Sequence, residues 1–190
     1  MDGGTEENIY KPTTVTEGEF AGWQAWNGFD PFEDLTGQFV YRVEDDGSVR
    51  CAFRAAAKHM NGGGFMHGGC LLTFADFALF AIATDELNGD HAVTLNLAGD
   101  FLGSIADGAL VEARGEVTRG GGKTIFVRGL VTGAGIIVTV ACWPLLRRFD
   151  ARSLVVRGGA ALVIMLPAAQ ARQVATNTEP RSIPASARIC

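Results

Sequence analysis

Residues 69–87 constrain this 190-residue chain more than any other stretch. Leu71, Leu72, Phe74, Phe77, Leu79, Phe80 and Ile82, with alanines between them, leave no polar stripe. A helix that is apolar on every face has to be enclosed by the rest of its fold. One carboxylate, Asp76, interrupts it, and an unpaired charge is costly to bury, so Asp76 needs a partner or a purpose.

The helix is preceded by His59-Met60-Asn61-Gly62-Gly63-Gly64-Phe65-Met66-His67-Gly68-Gly69. Glycines at a helix start leave backbone N–H groups at the positive end of the dipole, where an oxyanion can be stabilised. Gly69 and Asp76 are seven residues apart, about 700° of helix, which puts them within roughly 20° on one face. Taken alone, a helical carboxylate such as Asp76 is more often a satisfied structural group; with the glycine turn upstream it reads as a catalytic carboxylate. His67 is either a helix cap or a member of that site. Asn61 either orients a reactant or bonds its own turn.

The flanking sequence sets out the enclosure. Residues 38–44 and 48–56 flank Asp45-Asp46-Gly47, a tight-turn signal that predicts a β-hairpin. Residues 20–39 mix aromatics with Pro31 and glycines and read as a short helix or loop over one end of a core. Asn88-Gly89-Asp90 ends the helix in the manner of a C-terminal cap. Four strand-like runs follow at residues 91–101, 108–118, 123–132 and 136–147, separated by glycine-rich turns. Two strands, one buried helix and four more strands give an α+β fold, an antiparallel sheet wrapped around a long central helix.

Apolar residues are 47% and charged residues 19%, the balance of a globular chain. A net charge of −5 argues against a nucleic-acid partner, though a small anionic ligand needs only a few local cations. The charge is uneven: residues 1–150 carry 11 Lys/Arg against 20 Asp/Glu, while 151–190 carry five Arg and one Glu. The expected organisation is a flexible segment over 1–19, one domain over 20–149, and an atypical disordered tail over 150–190. No run is long and uninterrupted enough for a membrane span. Cys51, Cys70, Cys142 and Cys190 form no C-x-x-C pair, and with no signal peptide the expected setting is the cytoplasm. His59, His67 and Cys70 lack a fourth ligand at a recognisable spacing, so no metal is expected. Gly120-Gly121-Gly122-Lys123-Thr124 fails as a P-loop, because Val117 stands where the first glycine belongs and a strand follows. As a hairpin turn it is either a solvated loop or a place where Arg119 and Lys123 touch phosphates.

Asn61, His67-Gly68-Gly69 and Asp76, followed by Ala92-Val93-Thr94-Leu95-Asn96-Leu97 and Phe101, resemble the hotdog-fold acyl-CoA thioesterases. The similarity points to the PaaI-type branch of the 4-hydroxybenzoyl-CoA thioesterase superfamily and covers about residues 29–149, with Asp30-Pro31-Phe32 ahead of the first strand. The resemblance implies hydrolysis of an acyl- or aroyl-CoA thioester by a homodimer or homotetramer, without a cofactor. It implies that the Gly68 N–H binds the thioester carbonyl and that Asp76 is nucleophile or general base. Asn61 and His67 then hold the turn and orient the thioester or water, and Thr94 lies near the attacking water. Gly69, Phe77, Arg119 and Lys123 are the expected substrate contacts. The resemblance further implies a site shared between two chains, Asp76 of one facing the Gly68 turn of the other. Alternatives are a non-catalytic acyl-CoA-binding protein and a hotdog hydratase or dehydratase, for which no motif is found.

Overall fold

In the computed structural model the described residues are 11–90, 92–134 and 136–147, the last of these as backbone only. The 91–101 run therefore lacks His91, and the tail expected from residue 150 lies outside the described residues, as do residues 1–10. Two short strands, β1 (Thr13–Thr14) and β2 (Gln24–Ala25), precede helix α1 (Pro31–Thr36). Strands β3 (Val40–Val43) and β4 (Val49–Arg54) form the expected hairpin, with Gly47 at φ 81° in its turn. A 3-10 turn (Ala57–His59) and the glycine segment lead into α2 (Gly68–Ile82) and the one-turn α3 (Thr84–Leu87). Strands β5 (Ala92–Thr94), β6 (Ala98–Phe101), β7 (Leu110–Arg119), β8 (Thr124–Gly133) and β9 (Ile136–Arg147) complete the chain.

All these strands join one antiparallel sheet in the order β1-β2-β3-β4-β7-β8-β9-β5, with β6 also pairing β9. The sheet curls over α2 and buries Leu71, Phe74, Phe77, Ala78 and Leu79 against Phe39, Phe53, Val111, Ile125 and Val127. Aromatic contacts lock the middle of the helix: Phe53 lies 4.7 Å from Phe74, and Phe39 5.5 Å from Phe77, between ring centroids. On the opposite sheet face Trp23, Ala25, Val40 and Ala52 form a smaller cluster, with the Arg42 guanidinium 4.7 Å from the Trp23 ring centroid.

Three expectations need correction. The helix does not run unbroken over 69–87: it stops at Ile82, and Ala83, at φ −88° and ψ 3°, turns the chain into α3. The left-handed cap is where the sequence puts it, at Asn88 (φ 47°), whose N–H donates to Thr84 O. The run 91–101 is two strands, because Thr94 pairs Leu145 and Ala98 pairs Cys142. Four steps along one strand thus oppose three along the other, the one-residue excess of a bulge, which changes which face the following side chains point to. Finally, residues 13–14 of the segment expected to be flexible add a strand to the sheet edge, and Val15 packs near Trp23.

The end of α2 comes close to the sheet at two paired glycines. Gly115 on β7 pairs with Gly129 on β8, and Ile82 seats over the pair. A Cβ at Gly115 would lie 2.3 Å from Arg128 O and 2.9 Å from Ile82 Cδ1. Gly115→Ala is therefore expected to destabilise the fold by about 1–3 kcal/mol, read as a lowered midpoint in chemical denaturation; an unchanged midpoint would refute this packing.

Candidate active site

The start of α2 is built by its own side chains and backbone. His67, extended at φ −67° and ψ 132°, is the N-cap, and its Nδ1 accepts from Gly69 N–H at 2.9 Å. Asn61 Oδ1 accepts from Gly63 N–H at 2.8 Å and from Phe65 N–H at 3.3 Å, so the side chain holds the glycine turn. Gly64 needs its φ of 80°, which few other residues adopt. Among the described residues nothing accepts a hydrogen bond from Gly68 N–H, the first of the helix. The exposed Phe101 ring lies against Gly68, where a Cβ would come 3.3 Å from Cζ.

The buried His59 ties this turn to α1. Its Nδ1 accepts from Ala56 N–H at 2.9 Å, so Nε2 carries the proton and makes a short bond to Thr36 O, while its own carbonyl accepts from His67 N–H at 2.8 Å. Burial pushes its pKa down and favours this neutral form. With these bonds made, neither ring nitrogen of His59 is open to a metal. Among the described residues no three His, Cys, Asp or Glu side chains converge as ligands.

Asp76 lies elsewhere, two turns along α2. A helix rises about 1.5 Å per residue, so Gly68 and Asp76 of one chain are roughly 12 Å apart along the axis. The half-buried Asp76 carboxylate faces a cavity of about 460 Å³ and accepts from the Thr94 hydroxyl at 2.6 Å. Burial pushes the Asp76 pKa up, the Thr94 bond opposes that, and Asp30 adds a smaller upward push.

The sequence reading missed Glu33, which lines the same cavity. Asp30 N-caps α1 through Phe32 and Glu33 N–H groups, both at 3.0 Å, and Pro31 occupies the first turn. Which way this six-residue helix faces was not legible in the sequence. Burial, then Asp30, Asp76 and Asp34, push the Glu33 pKa up to about 8.

Of the expected site residues, the structure brings together Asp76 and Thr94 in this cavity; Asn61, His67, Gly68 and Gly69 stand at the other end of the helix. Phe77 is not a cavity wall in the chain, because its ring is enclosed by Trp26, Phe39 and Tyr41; Phe80, nearly one turn on, lines the cavity instead. Arg119 and Lys123 are exposed at the ends of the β7–β8 turn and do not line it.

A sequence model of the Thioesterase superfamily matches residues 63–138, from the glycine turn into β9. The Pseudomonas aeruginosa protein named "Putative esterase PA0474" is 34% identical over 106 residues, 55% of this chain and 79% of that one. The chain belongs to the thioesterase superfamily. A variant of the phenylacetic acid degradation protein PaaI from Thermus thermophilus superposes with a TM-score of 0.55 at 27% identity, covering 63% of this chain and 100% of PaaI. A Streptococcus mutans protein solved with acetyl CoA, at 24% identity, shares the fold with a TM-score of 0.55 over 64% of this chain and 94% of its own. The sheet around α2 is thus the hotdog fold of a PaaI-type thioesterase, as the sequence resemblance implied. No helix among the described residues is long and apolar enough to cross a membrane.

The Thr94 hydroxyl stabilises the charged form of Asp76. In this hotdog chain Thr94→Val is expected to move the Asp76 titration upward by about one pH unit, the scale of one hydrogen bond to a charged group. Carbon-13 NMR of the side-chain carboxyl reads it, and an unmoved titration would discount the bond.

Proposed function

We propose that this thioesterase-superfamily chain hydrolyses an acyl-CoA or aroyl-CoA thioester to the free carboxylic acid and CoA. The observation that carries the reading is a carboxylate facing a cavity with one hydroxyl donor, Thr94, on a helix whose first N–H is free among the described residues. Either Asp76 attacks the carbonyl carbon, expelling CoA thiolate and leaving an anhydride for water to open, or it takes a proton from the attacking water. Both routes put negative charge on the carbonyl oxygen, which the Gly68 N–H and the helix dipole stabilise. Asn61 and His67 keep that N–H in position.

Gly68 and Asp76 of one chain are too far apart to act on one carbonyl, so the working unit is a dimer. Each site takes Asp76 and Thr94 from one protomer and the Gly68 turn from its partner. The half-buried stripe Thr73, Asp76 and Phe80 on α2 and the exposed Phe101 and Leu102 at the β6 edge fit such an interface. A reducing cytoplasm suits Cys51 and Cys70, both buried free thiols.

Release of free thiol from acyl-CoA thioesters tests the activity. Asp76→Asn is expected to lower kcat about 100-fold or more. The wild-type rate should fall with acid as Asp76 is protonated, with a midpoint above the ordinary aspartate value because the folded pKa is raised. Gly68→Pro removes the N–H and brings its ring against the exposed Phe101 side chain, which must shift by a few tenths of an ångström; proline otherwise suits the first helical position, and extended His67 tolerates it. Each variant alone should be inactive, and mixing the two should restore about a quarter of wild-type activity, since half the dimers are mixed and each holds one intact site. Absence of recovery would show a site within one chain. Binding of acyl-CoA without thiol release would make the protein a carrier or sensor.

A further inference from the structure

Helix α1 presents an acid, not its apolar side chains, to the candidate site. Phe32 and Leu35 are 62% and 76% exposed, while Glu33 lines the cavity that Asp76 lines from α2. The neighbouring acids are structural: Asp30 caps the helix, and Asp34 accepts from Gly28 N–H. The half-buried Glu33 carboxyl has no hydrogen bond or ion pair with any described residue. Asp30 and Asp34 flank it on its own segment, and Asp76 faces it from α2. Lys58 and His59 are engaged at the other end of α1, on Leu35 O and Thr36 O. Asp90, also on the cavity wall, has a partner of its own. A carboxyl half out of water, beside a second carboxylate and with no donor on it, keeps its proton. Burial first, then Asp30 and Asp76, push the Glu33 pKa up to about 8. One cavity thus holds a carboxyl that carries its proton at neutral pH and a second, Asp76, whose charged form the Thr94 hydroxyl favours.

Thioester hydrolysis has a use for both. Asp76 serves the attacking side, but the C–S bond must also break, and the sulfur leaves as an anion unless it takes a proton. No Lys, Arg or His lines the cavity among the described residues, so this wall offers a departing thiolate no cation. Resting on the thioesterase reading above, we propose that Glu33 is the catalytic acid of this site, giving its carboxyl proton to the CoA sulfur as the C–S bond breaks. With Asp76 as nucleophile, departure of the thiol leaves an acyl-Asp76 anhydride and a Glu33 carboxylate. That carboxylate takes a proton from water, the water oxygen adds to the acyl carbon, and the anhydride C–O bond breaks. The Asp76 carboxylate and the Glu33 carboxyl are then restored. With Asp76 as base, it holds the proton of the attacking water after Glu33 has protonated sulfur, and returns it to Glu33 through solvent. On either route one thioester and one water give one carboxylic acid and one thiol.

The experiment follows thiol release from a panel of CoA thioesters, acetyl to palmitoyl and benzoyl, from about pH 5 to about pH 9.5, with spontaneous hydrolysis subtracted. The full-length wild type is compared with Glu33→Gln, and kcat is separated from KM. The wild-type kcat is expected to rise as Asp76 ionises and to fall again above about pH 8, as Glu33 loses its proton. Glu33→Gln keeps the shape of the side chain but has no proton to give. It is expected to lower kcat about 100-fold near neutral pH and to remove the alkaline fall while keeping the acid one. A loss of folded protein lowers the whole curve and does not flatten its alkaline side. Carbon-13 NMR of the Glu33 carboxyl in the wild type needs no variant, and its titration midpoint should match the alkaline fall. A wild-type kcat that stays level to the alkaline end, or an alkaline fall kept in Glu33→Gln, would overturn the inference and leave the hydrolase reading standing. So would a Glu33 titration near the ordinary glutamate value of 4.5. No thiol release from any member of the panel would overturn both.

Discussion

The structure depends on enclosing α2. Its sequence offers no polar face, so every side of the helix needs a wall, and the sheet supplies walls only where the strands pass. Leu71, Phe74, Phe77 and Leu79 are covered; Leu72, Thr73, Asp76 and Phe80 remain half-buried. The lone carboxylate falls on this thinly covered side, where its charge costs less to keep. The cavity, α1 and the β5 end of the sheet gather around the same side. Enclosure and chemistry are one problem in this chain.

The bulge between β5 and β6 follows from that problem. Strand β9 pairs β8 along its length and receives β5 and β6 in succession on its other edge. An uninterrupted strand would keep one alternation of side chains from Thr94 to Phe101. The extra residue resets it, so that Thr94 reaches Asp76 while Phe101 lies over Gly68, at opposite ends of the same helix.

What was legible in the sequence was local or strongly periodic. Asp45-Asp46-Gly47 marked the β3–β4 turn, the apolar run marked α2, Asn88 marked the cap that closes α3, and the Asn61 to Asp76 spacing marked the family. The misses come from interactions between distant segments. The split at residues 95–97 is a register difference against β9, nearly fifty residues on. The halt of α2 at Ile82 accompanies its seating on Gly115 and Gly129, two glycines ordinary in their own strands. Phe77 and Phe80 differ by three positions on one helix, and only the packing of Trp26 and Tyr41 decides which is core. Glu33 sits in six residues, too few for a periodic pattern to say which face is inward.

The two ends of α2 obey different electrostatics, and this bears on the proposed sharing of each site between two chains. The helix dipole acts within its first turn, at Gly68, and has faded by Asp76 about 12 Å further on. Within its own chain Asp76 therefore has one stabilising donor, Thr94, against burial and Asp30, and its pKa rises. Under the proposed two-chain site, the partner's helix start sets a partial positive charge opposite this same cavity. That charge favours the ionised carboxylate and the oxyanion formed beside it. Under that proposal dimerisation does more than complete a list of residues: it adds a field that opposes the upward push of burial on the Asp76 pKa.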